Sequence, residues 1–365
     1  MDRGGASPHP ASRAATAPQL IVQRRAGVSP APYHLESNAT PTPSTAPEPT
    51  EPKGPSNLRL RVIWGALAAA LLIGCTFGGP ISFAVFFAAV QAVILKEFYR
   101  ITRASGHKPA FWWGIVAGTL LFLYVAFTHF MEAQFQNVYL AGGTYTMYPP
   151  LDATATSSPN SSSMLLSIAA RCLLYFPIIG SVLLLVGLVI REIVRWPADS
   201  QPFTNVAITL LGLCYVSIPM SMLVLLAHPG TSFRPGRVFC LILLVWAADT
   251  GAYFAGKNFG KHKLAPSISP GKTWEGWAGG AALTLAVGWA AGYFLPDIPL
   301  GHRLVAAGVV AVFGPLGDLA ESMLKRSAGV KDSGTFLPGH GGLLDRFDAF
   351  LLVLPVLALL QVLFG

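Results

Sequence analysis

The sequence predicts an all-α, polytopic integral membrane protein: a bundle of about nine transmembrane helices with its N-terminus in the cytoplasm. Of its 365 residues, 53% are hydrophobic and only 12% are charged, whereas a soluble domain carries about 25% charged residues. From Val62 onward, apolar runs of spanning or nearly spanning length follow one another. Water could not solvate a surface of this composition, so we expect the chain to lie in a membrane.

Residues 1–57 differ in composition from the rest of the chain. They are rich in Pro, Ala, Ser and Thr, carry scattered arginines and contain no apolar run near their start. This composition fits neither a signal peptide nor a folded domain. We therefore predict a disordered cytoplasmic tail at 1–57, followed by one membrane-embedded domain at 58–365.

The apolar runs define the predicted spans, since a helix needs about 20 apolar residues to cross the hydrocarbon core. Pro177 is expected to kink or split the fourth span. The nine predicted spans lie near residues 62–79, 80–95, 111–130, 164–190, 205–227, 238–255, 275–295, 303–320 and 349–364.

Basic residues in the loops predict the orientation, because cytoplasmic loops carry an excess of Lys and Arg. With the N-terminus inside, the outer loop at 131–163 contains no Lys or Arg, and only Arg234 and Arg237 fall on the outer side. The inner loops are all basic, and they include Lys96–Lys108, Arg191–Arg195, Lys257–Lys272 and Lys325–Arg346. Both strongly charged segments of the chain, residues 249–273 and 318–348, are thus predicted to face the cytoplasm.

Neither the charge nor the cysteines of this chain indicate nucleic-acid binding, a disulfide framework or a zinc site. The formal net charge of +8 would fit nucleic-acid binding in a soluble protein, but here the cations flank the spans and face anionic lipid head groups. The four cysteines lie in apolar runs without paired short spacing, which suggests neither a disulfide framework nor a zinc site. They are Cys75, Cys172, Cys214 and Cys240.

Acidic residues end two of the apolar runs, where they are costly unless they are paired, metal-bound or hydrated. Asp249 ends the sixth run, either as a functional group or as an interfacial residue in contact with water. Four polar residues at the end of the eighth run recur at helical spacing and so share one face, which either lines a wet cavity or forms an internal ladder of ion pairs. They are Asp318, Glu321, Ser322 and Lys325.

The segment from Lys331 to Asp348 combines the residue types of a metal and phosphate site. Glycines let backbone N–H groups approach an anion, and neighbouring bases supply positive charge. Asp345 and Asp348 are three residues apart at a helix start and can point the same way. Carboxylates are oxygen ligands for a hard divalent cation, while bases neutralise phosphate oxygens. The glycines and bases are Gly341, Gly342, Lys325, Arg326, Lys331 and Arg346.

A basic loop follows the sixth run and ends in Gly271, Lys272 and Thr273. This triplet invites comparison with the nucleotide-binding P-loop, but that motif requires a glycine where this chain has Pro266. The loop can still bind phosphate, although its sequence does not establish a nucleotide. Two histidines of the charged segments are either ordinary loop residues or proton-transfer groups, namely His262 and His340.

The longest of these patterns resembles the signature of a known family. The run Ser322–Arg326, Lys331–Asp332, Pro338–Gly342 and Asp345–Asp348 is similar to that of the phosphatidate cytidylyltransferases, also called CDP-diacylglycerol synthases. The stretches Asp249–Tyr253 and Ser269–Gly276 resemble the same family in the same order. The resemblance covers roughly residues 58–365; the tail and much of the loop at 131–163 lie outside it.

The resemblance implies transfer of a cytidylyl group from CTP to phosphatidate, giving CDP-diacylglycerol and pyrophosphate in phospholipid biosynthesis. It implies Mg²⁺ as cofactor, in a two-metal centre formed by Asp318, Asp345 and Asp348, with Asp249 as a ligand or nearby. The expected partners are CTP, phosphatidate and membrane lipids, and no nucleic acid is expected. A homodimer is one assembly that the chain could form. The expected location is the inner cell membrane, with the active site facing the cytoplasm.

The remaining residues of the signature then receive roles around these metals. Lys272, Lys325, Arg326 and Lys331 would bind phosphates. Hydrogen bonds to the substrates would come from Ser269, Thr273, Gly341 and Gly342, and Ser322, His340 and Arg346 would complete the binding site. Asp332 is either an outer ligand or a partner of Lys331.

Two other functions fit parts of the same pattern. A CTP-dependent lipid kinase would use similar helices and metals but transfer the terminal phosphoryl group. An ion transporter would use intramembrane carboxylates near the bilayer midplane, whereas here the charges cluster at one face. Paired halves of the chain would also be expected of a transporter, and no internal repeat is evident.

Overall fold

The computed structural model describes residues 57–140, 161–197, 201–230, 232–334, 336 and 341–364. These form the predicted all-α, polytopic helix bundle, with one short β-hairpin. The helices and strands are α1 (Asn57–Phe77), α2 (Pro80–Ala104), α3 (Phe111–Leu140), α4 (Ser161–Arg195), α5 (Pro202–Gly212), α6 (Ile218–Ala227), α7 (Pro235–Phe259), β1 (Lys263–Ala265), β2 (Ser269–Thr273), α8 (Trp274–Ala290), α9 (Leu300–Ser327) and α10 (Leu344–Phe364). The predicted tail, apart from Asn57, lies outside the described residues, as do residues 141–160 of the predicted outer loop.

Each of the predicted spans corresponds to a helical segment. The fifth is α5 and α6 joined by a π-helical turn at Leu213–Ser217. The fourth is α4, which is not split, since the helix runs through Pro177. Within the described residues, seven segments are long and apolar enough to cross a membrane; the apolar stretch Val62–Phe77 is shorter, and α8 has 17 residues. The count of nine and the orientation stay predictions.

The surface of the bundle is apolar where a soluble protein would be polar. On α4, Ile178, Val182 and Leu183 are exposed, and on α2 so are Ile81 and Val85. The opposite face of α2 is buried, because its phenylalanines pack into the main core with residues of α3, α6, α7, α9 and α10. Helices that are apolar on both faces are expected in lipid, where the outer face contacts acyl chains.

Helices α7 and α8 pack closely because glycines line their interface. A Cβ added to Gly280 would lie 2.7 Å from the carbonyl oxygen of Ala248, and one added to Gly276 would lie 2.9 Å from that of Ala252. Small residues let helix backbones approach in this way, and they are typical of helix contacts within membranes. The close approach brings the start of α8 beside the end of α7.

The basic loop after α7 is a β-hairpin rather than an irregular loop. Strand β1 pairs antiparallel with β2, with Lys263 opposite Thr273 and Ala265 opposite Ser269. Thr273 is also the N-cap of α8, and its Oγ1 accepts a hydrogen bond from the Gly276 N–H at 3.1 Å. The hairpin therefore passes directly into α8, which fixes Lys272 near the polar end of the bundle.

The α7–α8 interface predicts a difference between two glycine substitutions. Gly280→Ala would press a methyl group against the backbone of α7, and overpacking of this kind costs about 1–3 kcal/mol. The matched control is Gly308→Ala in α9, where an added Cβ meets no atom within 4 Å. Thermal unfolding of the purified variants in detergent should show a lower midpoint for Gly280→Ala alone; equal midpoints would contradict the packing argument.

Candidate active site

The site is built where α9 crosses α10 at Gly317. A Cβ at this position would overlap the carbonyl oxygen of Asp348 and lie 2.9 Å from the Cα atom of Ala349. Only glycine allows two helix backbones to come this close. Because Asp318 follows Gly317 directly, the crossing brings its carboxylate beside that of Asp348.

Three carboxylates converge at this crossing. Ligand oxygens of Asp318, Glu321 and Asp348 all lie within 4.8 Å of one another. Glu321 is 1% exposed, and its Oε1 atom is buried with no hydrogen-bond partner among the described residues. Buried carboxylates without such partners are costly unless a cation binds them. The donor set of clustered carboxylate oxygens fits a hard divalent cation such as Mg²⁺.

Asp345, predicted as a metal ligand, lies outside this group of three. Its Oδ1 atom accepts a hydrogen bond from the Lys325 Nζ at 2.7 Å, and its Oδ2 atom accepts one from the Gly342 N–H at 3.0 Å. Lys325 also contacts Glu321, with 2.5 Å between Nζ and Oε2. Asp345 therefore holds Lys325 and the glycine segment in place, and Lys325 connects it to the carboxylate cluster.

A second lysine reaches the cluster from the hairpin. The Nζ atom of Lys272 lies 2.5 Å from Oδ2 of Asp318 and 3.5 Å from the carbonyl oxygen of Pro315. The hydroxyl of Ser322 donates to Oδ1 of the same aspartate at 3.3 Å. Ser322 and Lys272 thus contact Asp318 directly, whereas Glu321 and Lys325 pair with each other beside it.

These groups line a cavity of about 1090 Å³ at the polar end of the bundle. Asp249 enters it from α7, as do Tyr253 and Lys257 of the same helix, while Arg346 enters from α10. The cavity brings together most of the predicted residues, from segments far apart in the chain. The predicted residues that line it are Asp249, Lys272, Thr273, Asp318, Lys325, Asp332, Gly341, Asp345, Arg346 and Asp348.

Other predicted residues do not line this cavity. Arg326 and Lys331 are exposed, and Ser269 lies at the start of β2. Ser322 and Gly342 are buried behind the cavity wall, where they contact Asp318 and Asp345 respectively. His340 lies outside the described residues. His262 is exposed, and its Nδ1 atom lies 2.6 Å from Oε1 of Glu275 at the start of α8.

Glu97 of α2 is an important residue that the sequence analysis missed. It is 5% exposed, and its Oε2 atom accepts hydrogen bonds from the Leu344 N–H at 2.7 Å and from the Ser333 hydroxyl at 3.3 Å. A Cβ at Gly342 would lie 2.7 Å from the same oxygen. Glu97 therefore fixes the start of α10 and the glycine segment. The signal was present, since Glu97 ends an apolar run as Asp249 does.

The chain is similar in sequence to known proteins. The model of the cytidylyltransferase family matches residues 59–364. A protein named phosphatidate cytidylyltransferase from Staphylococcus saprophyticus is 44% identical over 161 residues, which cover 44% of this chain and 60% of that protein. The protein of the same name from Bacillus subtilis is 53% identical over 130 residues, which cover 35% of this chain and 48% of that protein.

This chain thus covers only about half to 60% of the length of these curated relatives. The family match is broader, since it runs from the first turn of α1 to the end of α10 and includes every element that forms the cavity. On that match, the chain belongs to the cytidylyltransferase family.

Proposed function

We propose that this protein transfers a cytidylyl group from CTP to phosphatidate, forming CDP-diacylglycerol and pyrophosphate. The observation that carries the proposal is the cluster of Asp318, Glu321 and Asp348 with Lys272 and Lys325 in contact with it. Such a site offers oxygen ligands for a cation and ammonium groups for phosphates within one cavity. The names of the relatives supply the lipid substrate.

The chemistry requires little acid–base catalysis from the protein. The phosphomonoester of phosphatidate has a second pKa of about 6 and is largely dianionic near neutral pH. One of its oxygens attacks the α-phosphorus of CTP, a new P–O bond forms, and the bond from the α-phosphorus to the bridging oxygen breaks as pyrophosphate leaves. The main barrier is the repulsion between two anions, which fixed positive charge reduces.

Positions of the basic groups suggest how the two anions are held. Lys272 of the hairpin contacts Asp318 of the cluster, and Lys325 of α9 contacts Glu321. Lys257 and Arg346 line the same cavity. Together they can offset part of the negative charge of the triphosphate and the lipid phosphate while the lipid chains stay in the bilayer. A soluble enzyme would instead have to extract the lipid.

We propose Mg²⁺ as the cofactor, held by Asp318, Glu321 and Asp348, with Asp249 as a further ligand or a nearby carboxylate. When bound, the ion would polarise phosphate oxygens and offset charge on the leaving pyrophosphate. Asp345 remains in the proposal as the group that positions Lys325. On this proposal the protein lies in the cell membrane and its site faces the cytoplasm, as the basic loops predict. A homodimer stays a prediction.

The reaction is tested with two isotopic labels. The purified protein is incubated with phosphatidate, Mg²⁺ and CTP labelled at either the α- or the γ-phosphorus. We expect the α-label in the lipid and the γ-label in pyrophosphate. The opposite result, with the γ-label in the lipid and CDP released, would indicate a lipid kinase and contradict the proposal. Labelling of neither product would also contradict it.

The carboxylate cluster predicts the effect of Asp318→Asn. We expect the rate to fall about 100-fold or more, because loss of a metal ligand removes several kcal/mol of transition-state stabilisation. The matched control is Asp297→Asn, since that exposed aspartate pairs only weakly with Arg234, at 3.6 Å. The assay measures α-label incorporated into lipid. Activity of Asp318→Asn within about tenfold of the parent would rule out its role as a metal ligand.

Two further substitutions separate metal binding from positioning. Glu321→Gln should raise the Mg²⁺ concentration needed for half-maximal activity, because it removes a charged ligand. Asp345→Asn should lower the maximal rate with little change in the Mg²⁺ requirement, because it releases Lys325 and the glycine segment. Mg²⁺ titrations of both variants measure the difference. A shifted Mg²⁺ requirement in Asp345→Asn but not in Glu321→Gln would contradict this division of roles and favour Asp345 as a metal ligand, as the family resemblance implies.

A further inference from the structure

A second cavity, of about 1000 Å³, lies at the other end of the helices that form the candidate active site. The active site uses the C-terminal ends of α7 and α9 and the start of α10. The second cavity is lined by the first turns of α7 and α9 and by the last turns of α10. At 1.5 Å per residue, the two ends of the 25-residue helix α7 lie about 37 Å apart. The linings of the two cavities approach each other at its middle, where Leu244 lines the second cavity and Val245 lines the first.

Arg303 is the unusual residue of this cavity. It lies in the first turn of α9 and is 9% exposed, and its Nε and Nη1 atoms are buried with no hydrogen-bond partner among the described residues. Its guanidinium packs over Gly292, where any Cβ would overlap it. Arginine keeps its charge in proteins, so burial without a partner is unfavourable unless an anion binds it. Because Arg303 also lines the cavity, an anion bound there would offset this buried charge.

Arg237 adds a second positive charge near Arg303. It lies in the first turn of α7 and lines the same cavity, and no Asp or Glu is among the described lining residues. Neither α7 nor α9 has an acidic residue in its first turn. Helix N-termini carry partial positive charge and free N–H groups, which add to the attraction for an anion. Asp297, the acidic residue just before α9, is exposed and contacts Arg234.

Most of the remaining lining is apolar. The apolar wall of the cavity is formed by residues of three helices, namely Leu241 and Leu244 of α7, Val305 of α9, and Leu357 and Leu360 of α10. A small inorganic anion would leave this wall without a partner, whereas a lipid would cover it with acyl chains. An anionic head group with attached hydrocarbon matches both parts of the cavity.

We propose that this cavity binds an anionic phospholipid, with its phosphate at Arg303 and Arg237 and its acyl chains against the leucines of α7 and α10. The predicted topology puts the site in the leaflet opposite the active site. This location also explains why Arg237 departs from the charge distribution expected of outer loops. This site is separate from the candidate active site, because a different set of residues lines it.

The proposal is tested by lipid-dependent stability, since a ligand that binds only the folded state raises the unfolding midpoint. The full-length protein in detergent is heated with added phosphatidylglycerol, with phosphatidylcholine of the same acyl chains, or with inorganic phosphate. We expect a larger rise in midpoint with phosphatidylglycerol than with either other addition. Native mass spectrometry of the same samples should show retained phosphatidylglycerol.

Variants locate the effect. Arg303→Met keeps a flexible apolar side chain and removes the guanidinium charge, and it should abolish the excess shift from phosphatidylglycerol. Arg237→Gln should reduce that shift, and it is the second test if Arg303→Met does not fold. Arg234→Gln, outside the cavity, should leave it unchanged. Lys272→Gln should also leave it unchanged, which separates this site from lipid bound in the active site.

Three outcomes would overturn the proposal. The first is an equal shift from phosphatidylglycerol and phosphatidylcholine with the unmodified protein. The second is an excess shift that survives in both Arg303→Met and Arg237→Gln. The third is an equal shift from inorganic phosphate, which would mean that the site takes a free anion rather than a lipid. None of these readouts depends on catalytic turnover, so they are independent of the proposed reaction.

Discussion

The close crossing of α9 and α10 at Gly317 is the constraint on which the candidate active site depends. It brings Asp318 and Asp348 together and adds Glu321 one helical turn away. Oxygen atoms of the three carboxylates therefore lie within 4.8 Å of one another. Two unit charges about 4 Å apart repel by about 4 kcal/mol at the effective dielectric near a protein surface. The cluster therefore requires positive charge, which Lys272 and Lys325 supply at 2.5 Å.

This need for positive charge links the remaining elements to the crossing. Lys272 is held by the hairpin, and the hairpin is held by α8, which packs on α7 through glycines. Lys325 is held by Asp345, whose other oxygen binds the glycine segment, and Glu97 of α2 fixes the same segment from behind. Four separate parts of the chain thus converge on one group of charges. The same arrangement suits a reaction between two phosphate-bearing substrates.

The sequence predicted the carboxylates of the site but not their division of roles. Helical spacing showed that Asp318, Glu321, Ser322 and Lys325 share a face, and both alternatives drawn from it were partly right. The face lines a cavity, and it also contains an ion pair between Glu321 and Lys325. Spacing could not show that Lys325 would contact Asp345, because that contact depends on how α10 is rotated against α9.

Glu97 shows the same limit more clearly. Its hydrogen-bond partners Ser333 and Leu344 are 236 and 247 residues away in sequence, so no local pattern connects them. The second cavity likewise forms only because the first turns of α7 and α9 meet the end of α10. Arg303 is an ordinary basic residue in the sequence and becomes unusual only through its burial.

Composition and periodicity are properties of the chain itself, and by themselves they determined the membrane environment, the helical class, the approximate position of each helical segment and the two charged segments. The lengths of the apolar runs and the cost of charge in lipid are enough for those conclusions. Only the tertiary structure decided which carboxylates converge, that Asp345 holds Lys325, that Glu97 supports α10 and that Arg303 is buried. These depend on helix crossings that glycines permit, and a crossing angle is set by packing between distant segments rather than by either segment alone.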